Sequence, residues 1–488
     1  MSAVKSPPAA TPIRGRGRQP RWPSAGSLSS PAERASFGKT VRALVPREDH
    51  AALELPVDRR DPLDLLEAQA RTRLPDLVPV RYGRMAASPF AYFRGAALPM
   101  ASDLATTPVT GLPVQACGDA HLSNFGLFGS PERRLVFDIN DFDETLPGPW
   151  EWDVKRLAAS IEIAAREKGI AARQRRRIVL AALTRYREAM RAFAGQGNLD
   201  VWYAKLDVDD LQAQLKPRGR MRKAVNAGLA RARSSDSLRA LGKLAAHVDG
   251  RPQILSDPPL LVPMRDLTEN QEEAAGLESM LRELFVSYRH TLPADTAELL
   301  GRYEFADIAR KVVGVGSVGT RCWIVLLLAA DGSDPLFLQV KEAESSVFAE
   351  FAGPSRHGNH GERVVTGQRY MQAASDIFLG WVRVTRGIDS RQHDYYIRQL
   401  RDWKFSFNVA GMPPSWLRQY AAACGWTLAR AHAKTGDRFA LAAYLGASDV
   451  FDQAVADFAA RYADQNEHDY AALLQAVKSG RLPCETDV

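Results

Sequence analysis

Apolar and polar positions along the chain fall into three textures. The first is short and helical: DPLDLLEAQARTR, residues 61–73, spaces its leucines for one helix face, with Asp61 placed to cap it and Pro62 at its first position. SPFAYFRGAALPMASDLA, residues 88–105, follows as an aromatic and small-residue segment. In the second texture, LPVQAC reads as a short strand entering GDAHLSNFG, and a hairpin comes next: FGLF, the turn GSPER, then RLVFDIND. The pattern turns helical from Glu151 to about Ala194, and DPPLLVP at 257–263 breaks the helical region. At Ala306 the third texture begins. ADIARKVVGVGSVGTRCWIVLLLAADGSDPLFLQVKEA reads as strand, Gly-rich turn, strand, turn, strand. A helix is expected at GERVVTGQRYMQAAS and a strand at DYYIRQL, and the remainder is helical from Pro414 onward. No internal repeat is visible.

Composition narrows the class. The chain has 488 residues, 45% hydrophobic and 25% charged, which suits two or three globular units at ~100–200 residues each. No apolar run reaches the ~18 residues of a membrane span, and the first residues lack the apolar core of a secretory signal. Four scattered cysteines without a CxxC pair argue against a zinc site or a disulfide framework, and a cytoplasmic setting is expected. The net charge of +7 is uneven: residues 1–50 hold nine basic and three acidic residues, leaving a surplus of one for the rest. Residues 1–40 are read as a disordered basic tail, capable at most of weak nucleic-acid contact. Residues 216–240, with eight Lys/Arg and one acid, are read as a solvated basic face.

The chemistry concentrates in two places. In GDAHLSN, Asp119 and Asn124 stand five residues apart between a strand and a hairpin. A tight loop of that length faces both side chains into one cavity. Asp119 is placed to accept a proton from an attacking hydroxyl, and Asn124 offers a neutral oxygen ligand to Mg²⁺. FDINDFDE, at the far end of the hairpin, gathers Asp138, Asp141, Asp143 and Glu144. Carboxylates so close repel one another unless a hard cation sits between them.

The second place is GVGSVG, with Gly314, Gly316 and Gly319. A dinucleotide fold would need a helix next and a P-loop would need GK[ST]; TRCWIVLLL fits neither. A β-hairpin whose glycine turn covers phosphates remains, with Ser317 in the turn. FLQVKEA then puts Lys341 on the next strand, where it needs a partner. Glu362, in the expected helix, is the favoured one; Glu344 and Glu350 are rivals. The strand YYIRQL would lead to a nucleotide-facing linker at Gln399 and Leu400.

These motifs resemble those of aminoglycoside and choline phosphotransferases within the protein-kinase-like superfamily, whose pattern is HGDxxxxN, a hairpin, an Asp followed by Phe or Trp, then an Asp on a helix. Cys117 stands where that pattern has His; Asp119, Asn124, Asp141 with Phe142, and Asp153 fit it. The resemblance implies Asp119 as catalytic base, Asn124 and Asp141 as magnesium ligands, and Asp153 as a brace for the loop. Asp138 competes with Asp141 for the metal role. The order of the two lobes is reversed, and CGWTLARAHA near the chain end is similar to the helix that precedes the catalytic loop in small-molecule kinases. The expectation is therefore an α+β, two-lobed, protein-kinase-like fold, circularly permuted. It has the tail at 1–40, catalytic loop and helical large lobe at 41–300, β-rich nucleotide-binding small lobe at 301–405, and C-terminal large-lobe helices at 406–488. The implied activity is phosphoryl transfer from ATP, with Mg²⁺, to a hydroxyl of an unidentified small molecule or protein. A nucleotide-binding regulator and a metal-dependent phosphoesterase using the 119–144 acids are the alternatives. The chain also resembles a bacterial family described only as a domain of unknown function, DUF2252, at SPFAYFRGAA, GDAHLSNFG, FDINDFDETLPGPWEWDVKRLAAS, GERVVTGQR and CGWTLARAHA.

Overall fold

The first element is a helix where composition predicts a disordered tail. Pro31–Leu44 (α1) opens on a reciprocal cap between Ser30 and Glu33. It lies so close to Arg438–Leu445 that a Cβ at Gly38 would meet the Ala440 carbonyl oxygen at 2.2 Å. Its sequence is too polar to announce this packing, because Gly38 and Val41 alone are buried. The computed structural model describes residues 30–208, 227–230, 233–234, 237–248, 251–267, 284–332, 334–385, 387, 389–400 and 403–486. The tail reading for residues 1–29 and most of the 216–240 basic face lie outside them.

Pro62–Ala70 (α2) starts as expected, with the Asp61 side chain accepting from the Leu63 N–H. The aromatic segment then folds into three short helices, Val78–Ala86 (α3), Pro89–Gly95 (α4) and Ala97–Leu104 (α5). The strand Pro113–Ala116 (β1) pairs antiparallel with Leu146–Pro149, which carries the label β4. Between them lies the expected hairpin, Phe125–Gly129 (β2) and Leu135–Ile139 (β3), in register Phe125↔Ile139. Two long helices follow, Trp150–Glu167 (α6) and Ala172–Ala194 (α7).

The third texture forms a six-stranded antiparallel sheet. Leu261–Pro263 (β5) is an edge; Tyr303–Lys311 (β6), Cys322–Ala329 (β7) and Pro335–Ala343 (β8) form a meander beside it. The chain leaves the sheet for the helix His360–Met371 (α8), then returns as Gly380–Val384 (β9) and His393–Gln399 (β10), the latter inserted against β8. The unbroken apolar run of β7 has a simple cause. Successive side chains alternate between faces, and both faces are covered. Val325 and Leu327 pack with Tyr288 and Leu300, while Ile324 and Leu326 pack with Ala240 and Leu244.

Helices close the chain: Pro414–Thr435 (α9), Arg438–Leu445 (α10) and Val450–Lys478 (α11). They return to the first half of the sequence. The largest core joins β1–β3, α6 and α7 to α9–α11. The architecture is thus mixed α/β, and among the described residues no helix is long and apolar enough to cross a membrane.

One buried charge in this core lacks a partner. Lys155 of α6 is fully buried, its Nζ has no hydrogen-bond partner, and it lies 4.8 Å from the centroid of the Phe458 ring. Burial pushes its pKa down to about 7, against the opposing pull of Glu151. Lys155→Met is expected to stabilise the fold by about 1–3 kcal/mol below neutral pH, where the wild type keeps an ammonium inside. The folded pKa lies below the unfolded value of 10.5. Wild-type stability therefore rises through that window, and the variant's advantage shrinks as pH increases from about 7 towards 10. Urea unfolding of both proteins at pH 6 and at pH 9 measures the difference; a constant difference would contradict the assignment.

Candidate functional site

Sequence-distant acids and the glycine turn meet in one cavity. Asp119, Asn124, Asp141, Asp143 and Glu144 line it from one side, the Gly314–Ser317 turn from another. Lys341 of β8 does not line the cavity itself but contacts two of its acids, with Nζ 2.5 Å from Asp143 Oδ2 and 3.5 Å from Asp141 Oδ1. The sheet explains its position. Phe337, Gln339 and Lys341 alternate onto one face of β8, apolar at one end and polar towards the cavity. Across the strand pair Lys341 faces Tyr396, whose hydroxyl donates to Asp143 Oδ1 at 2.6 Å. Burial opposes the ammonium's charge, but Asp141 and Asp143 outweigh it and hold the Lys341 pKa well above its ordinary value. Asp143 is held below the usual carboxylate range: burial works against ionisation, and the charge and hydrogen bond of Lys341 overcome it.

The loop at 117–124 is held from behind. Asp153, in the first turn of α6, accepts the N–H of Cys117 at 2.6 Å and of Gly118 at 2.9 Å. His432 of α9 lies 3.1 Å from the same carboxylate. The Tyr420 hydroxyl reaches the carbonyl oxygens of Leu122 and Phe125. Asp119 Oδ1 accepts from Arg156 Nε at 2.5 Å, and the Asn124 side-chain amide donates to the Asp119 carbonyl at 2.7 Å. Burial raises the Asp119 pKa, with Arg156 pulling the other way. Asp141 Oδ1 is buried without a hydrogen-bond partner. Among the described residues no three His, Cys, Asp or Glu side chains converge as a metal cluster.

The glycine turn is docked rather than free. Gly314 and Gly319 take positive φ of 67° and 88°, which only glycine adopts readily. A Cβ at Gly316 would lie 3.2 Å from the Arg94 carbonyl oxygen. Between the glycines, Val315 packs among Leu66, Tyr82 and Leu473, and Val318 among Leu77 and Val80. The Leu74 N–H donates to the Gly319 carbonyl at 2.7 Å, and Arg84 to that of Gly314 at 2.7 Å. Ser317 Oγ donates to Asp143 Oδ2 at 3.2 Å. Among the described residues the amides of Gly316 and Ser317 donate to no protein acceptor.

Four expected residues lie elsewhere. Asp138 faces away, in a fully buried ion pair with Arg430 at 2.6 Å, and also accepts the Ala373 N–H; its oxygens are spent, which corrects its reading as a metal ligand. Glu362, expected beside Lys341, is partly exposed and pairs with His357 at 3.2 Å. The buried residue of that helix is its neighbour Arg363, which donates to the carbonyl oxygens of Thr145, Asp143 and Glu344. Of the rivals, Glu344 lines the cavity and Glu350 pairs with Arg60 on the surface. The backbone N–H of Gln399 is bonded to Asp376, Leu400 continues the sheet by donating to Phe337, and neither lines the cavity.

Asp143, Tyr396, Arg73 and Arg81 were not singled out by sequence reasoning. Asp143 carried a signal, since it stands in the same acidic run as Asp141. The others had none, because pairing across β8 and β10 and the folding back of α2–α4 bring them in.

The Asp153 brace generates a stability test. Asp153→Ala strands two buried N–H groups and is expected to cost about 2–5 kcal/mol in urea unfolding. Asp153→Asn, which keeps one acceptor oxygen, is expected to recover part of that loss; equal stability of the alanine variant and wild type would contradict the brace.

Comparison with curated proteins returns no match, and neither does comparison with solved structures. The family model described as "Uncharacterized protein conserved in bacteria (DUF2252)" matches residues 73–476. That span covers most of the chain, and the chain belongs to this family.

Proposed function

We propose that the protein is an ATP- and Mg²⁺-dependent phosphotransferase on a circularly permuted, protein-kinase-like framework. One observation carries the reading: Lys341 bonds to Asp143, 198 residues away in sequence, and Asp141 and Asp143 line one cavity with Asp119, Asn124 and the glycine turn. The strand arrangement supports it. The glycine turn joins the first two strands of a meander, the lysine stands on the third, and a helix intervenes before the next strand, the layout of a kinase nucleotide lobe. The permutation draws support from α9, which lies near the chain end yet packs on the 117–124 loop near its start.

The donor set fits magnesium in its usual form, one or two protein oxygens completed by phosphates and water rather than an all-protein cage. Asp141, with a buried unpartnered oxygen, and Asn124 would hold the ion, which when bound neutralises charge on the phosphates. The chain's own residues do the rest. The free amides of Gly316 and Ser317 and the Lys341 ammonium offer donors to phosphate oxygens. Asp119, kept in orientation by Arg156, takes the proton as the acceptor hydroxyl bonds to the γ-phosphorus and the bond to the β-phosphate oxygen breaks. Burial raises the basicity of Asp119, which favours that role. The cavity volume is about 120 Å³. That is below the roughly 300–1,000 Å³ of pockets that enclose a drug-sized ligand, so the closed form suits a phosphate chain rather than a whole nucleotide. The phosphoesterase alternative would need metals held by the acids alone, and the described residues present no such cluster.

Thermal-shift measurements with ATP, ADP and GTP, with and without Mg²⁺, test the reading. Wild type is expected to gain about 2.7 kcal/mol at a nucleotide concentration a hundredfold above Kd. Asp141→Asn is expected to abolish the magnesium-dependent part and Lys341→Met to weaken all nucleotide binding. No response of the wild type to any nucleotide would overturn the proposal. A silent Asp141→Asn beside an inactive but folded Asp138→Asn would overturn the metal assignment.

A further inference from the structure

Three buried cations of the site are each matched by an acid, and buried Arg363 is held by three carbonyl oxygens. Arg156 has Asp119, Lys341 has Asp143, and Arg430 has Asp138. Elsewhere in the core Arg59 and Arg187 are likewise bound to carboxylates. Three arginines break the pattern, and all three line one cavity: Arg73 just after α2, Arg81 of α3 and Arg94 of α4. Among the described residues none of them is in an ion pair, and the Nε of each is buried without a partner.

Arg73 keeps one short bond, while the contacts of the other two are long or absent. Arg81, fully buried, reaches Leu66 O, Gln69 Oε1 and Gly95 O only at 3.4, 3.2 and 3.3 Å, long for guanidinium hydrogen bonds. Arg73 donates to the Val318 carbonyl. The Arg94 guanidinium makes no hydrogen bond to the described residues, and the opposing charges that act on it most are Asp119 and then Asp141, which line the same cavity. Burial depresses all three guanidinium pKa values. The cavity also holds carboxylates, and Glu344 acts on Arg73 and Arg81 electrostatically, but none pairs directly with these three guanidinium groups, so their burial is only partly offset. Planar guanidinium groups are suited to bidentate binding of oxyanions.

We propose that Arg73, Arg81 and Arg94 form an oxyanion subsite for the second substrate, so that the phosphoryl acceptor carries a phosphate or carboxylate group besides its hydroxyl. The part that names an acceptor rests on the function proposed above; the anion site does not. The location favours the acceptor over the donor. The donor's oxygens have Lys341 and the turn amides on the sheet side. The arginines belong to the N-terminal helices, and Arg94 stands towards Asp119, the base that must meet the acceptor hydroxyl.

Calorimetric titration of the full chain with inorganic phosphate, alone and with saturating Mg²⁺-ADP, tests the proposal. Wild type is expected to bind phosphate in both conditions. Arg94→Ala is expected to weaken phosphate binding roughly tenfold or more while leaving Mg²⁺-ADP affinity in place, and Arg94→Lys to recover part of the loss. Arg73→Ala serves as the second variant, and circular dichroism checks that each variant is folded. Failure of the wild type to bind phosphate, or an Arg94→Ala variant that binds it normally, overturns the subsite. If phosphate competes with Mg²⁺-ADP and Arg94→Ala weakens both, the arginines hold the donor and the acceptor assignment is overturned, while the kinase reading stands. If phosphate binds through Arg94 and no nucleotide binds at all, the anion site is supported and the phosphotransferase reading fails.

Discussion

Lys341 stands on a strand face whose other members are buried, and it is buried with them. A counter-charge must therefore come to it. Asp143 supplies one at 2.5 Å, and Asp141 supports it. The same Asp143 carboxylate takes the Tyr396 hydroxyl from the neighbouring strand and the Ser317 hydroxyl from the glycine turn. This single carboxylate fixes the sheet, the turn and the acidic loop relative to one another. Its cost in desolvation is offset because every oxygen is engaged, the condition under which a buried ion pair is tolerated.

The acidic loop is positioned from two ends of the chain. Asp153 holds the backbone at Cys117 and Gly118, while His432, Tyr420 and Arg430 of the late helix α9 grip the loop and the strand beyond it. Two of these contacts are to buried carboxylates, so a small displacement of α9 would take a partner from each of Asp138 and Asp153. Fixing the loop in this way also fixes Asp119 against Arg156 and leaves Asp141 Oδ1 without a hydrogen bond, 3.5 Å from the Lys341 ammonium. The catalytic geometry proposed for this site is thus the residue of a packing problem solved elsewhere.

The N-terminal helices give the cavity its opposite character. They pin Val315 and Val318 of the glycine turn in apolar clusters and bring three unpaired arginines to the wall. A turn that would otherwise sway is held closed by ordinary hydrophobic burial. The cavity is consequently narrow, acidic towards the 119–144 loop and basic towards α2–α4.

Much of this was legible before any coordinates. Period-two and helical patterns gave the hairpin at 125–139, the meander with its glycine turn, and the helices at 150–194 and 414–478, because local periodicity records which face each residue buries. The spacing of Asp119, Asn124, Asp141 and Asp153 was also local, and Asp153 braces the loop as the resemblance implied. Partnership was not legible. Glu362 was chosen for Lys341 by distance along the chain, but a helix rotated by one residue buries Arg363 instead and hands the lysine to Asp143. Phe142 and the spacing to Asp153 favoured Asp141 over Asp138 in sequence, but the partner that occupies Asp138, Arg430, arrives from nearly three hundred residues away. The helix α1 and the arginines at 73 and 81 left no trace in the pattern. Sequence determined the elements and the residues that carry charge; tertiary packing decided which charges meet, because an ion pair depends on distances of a few ångströms between elements that no local rule places.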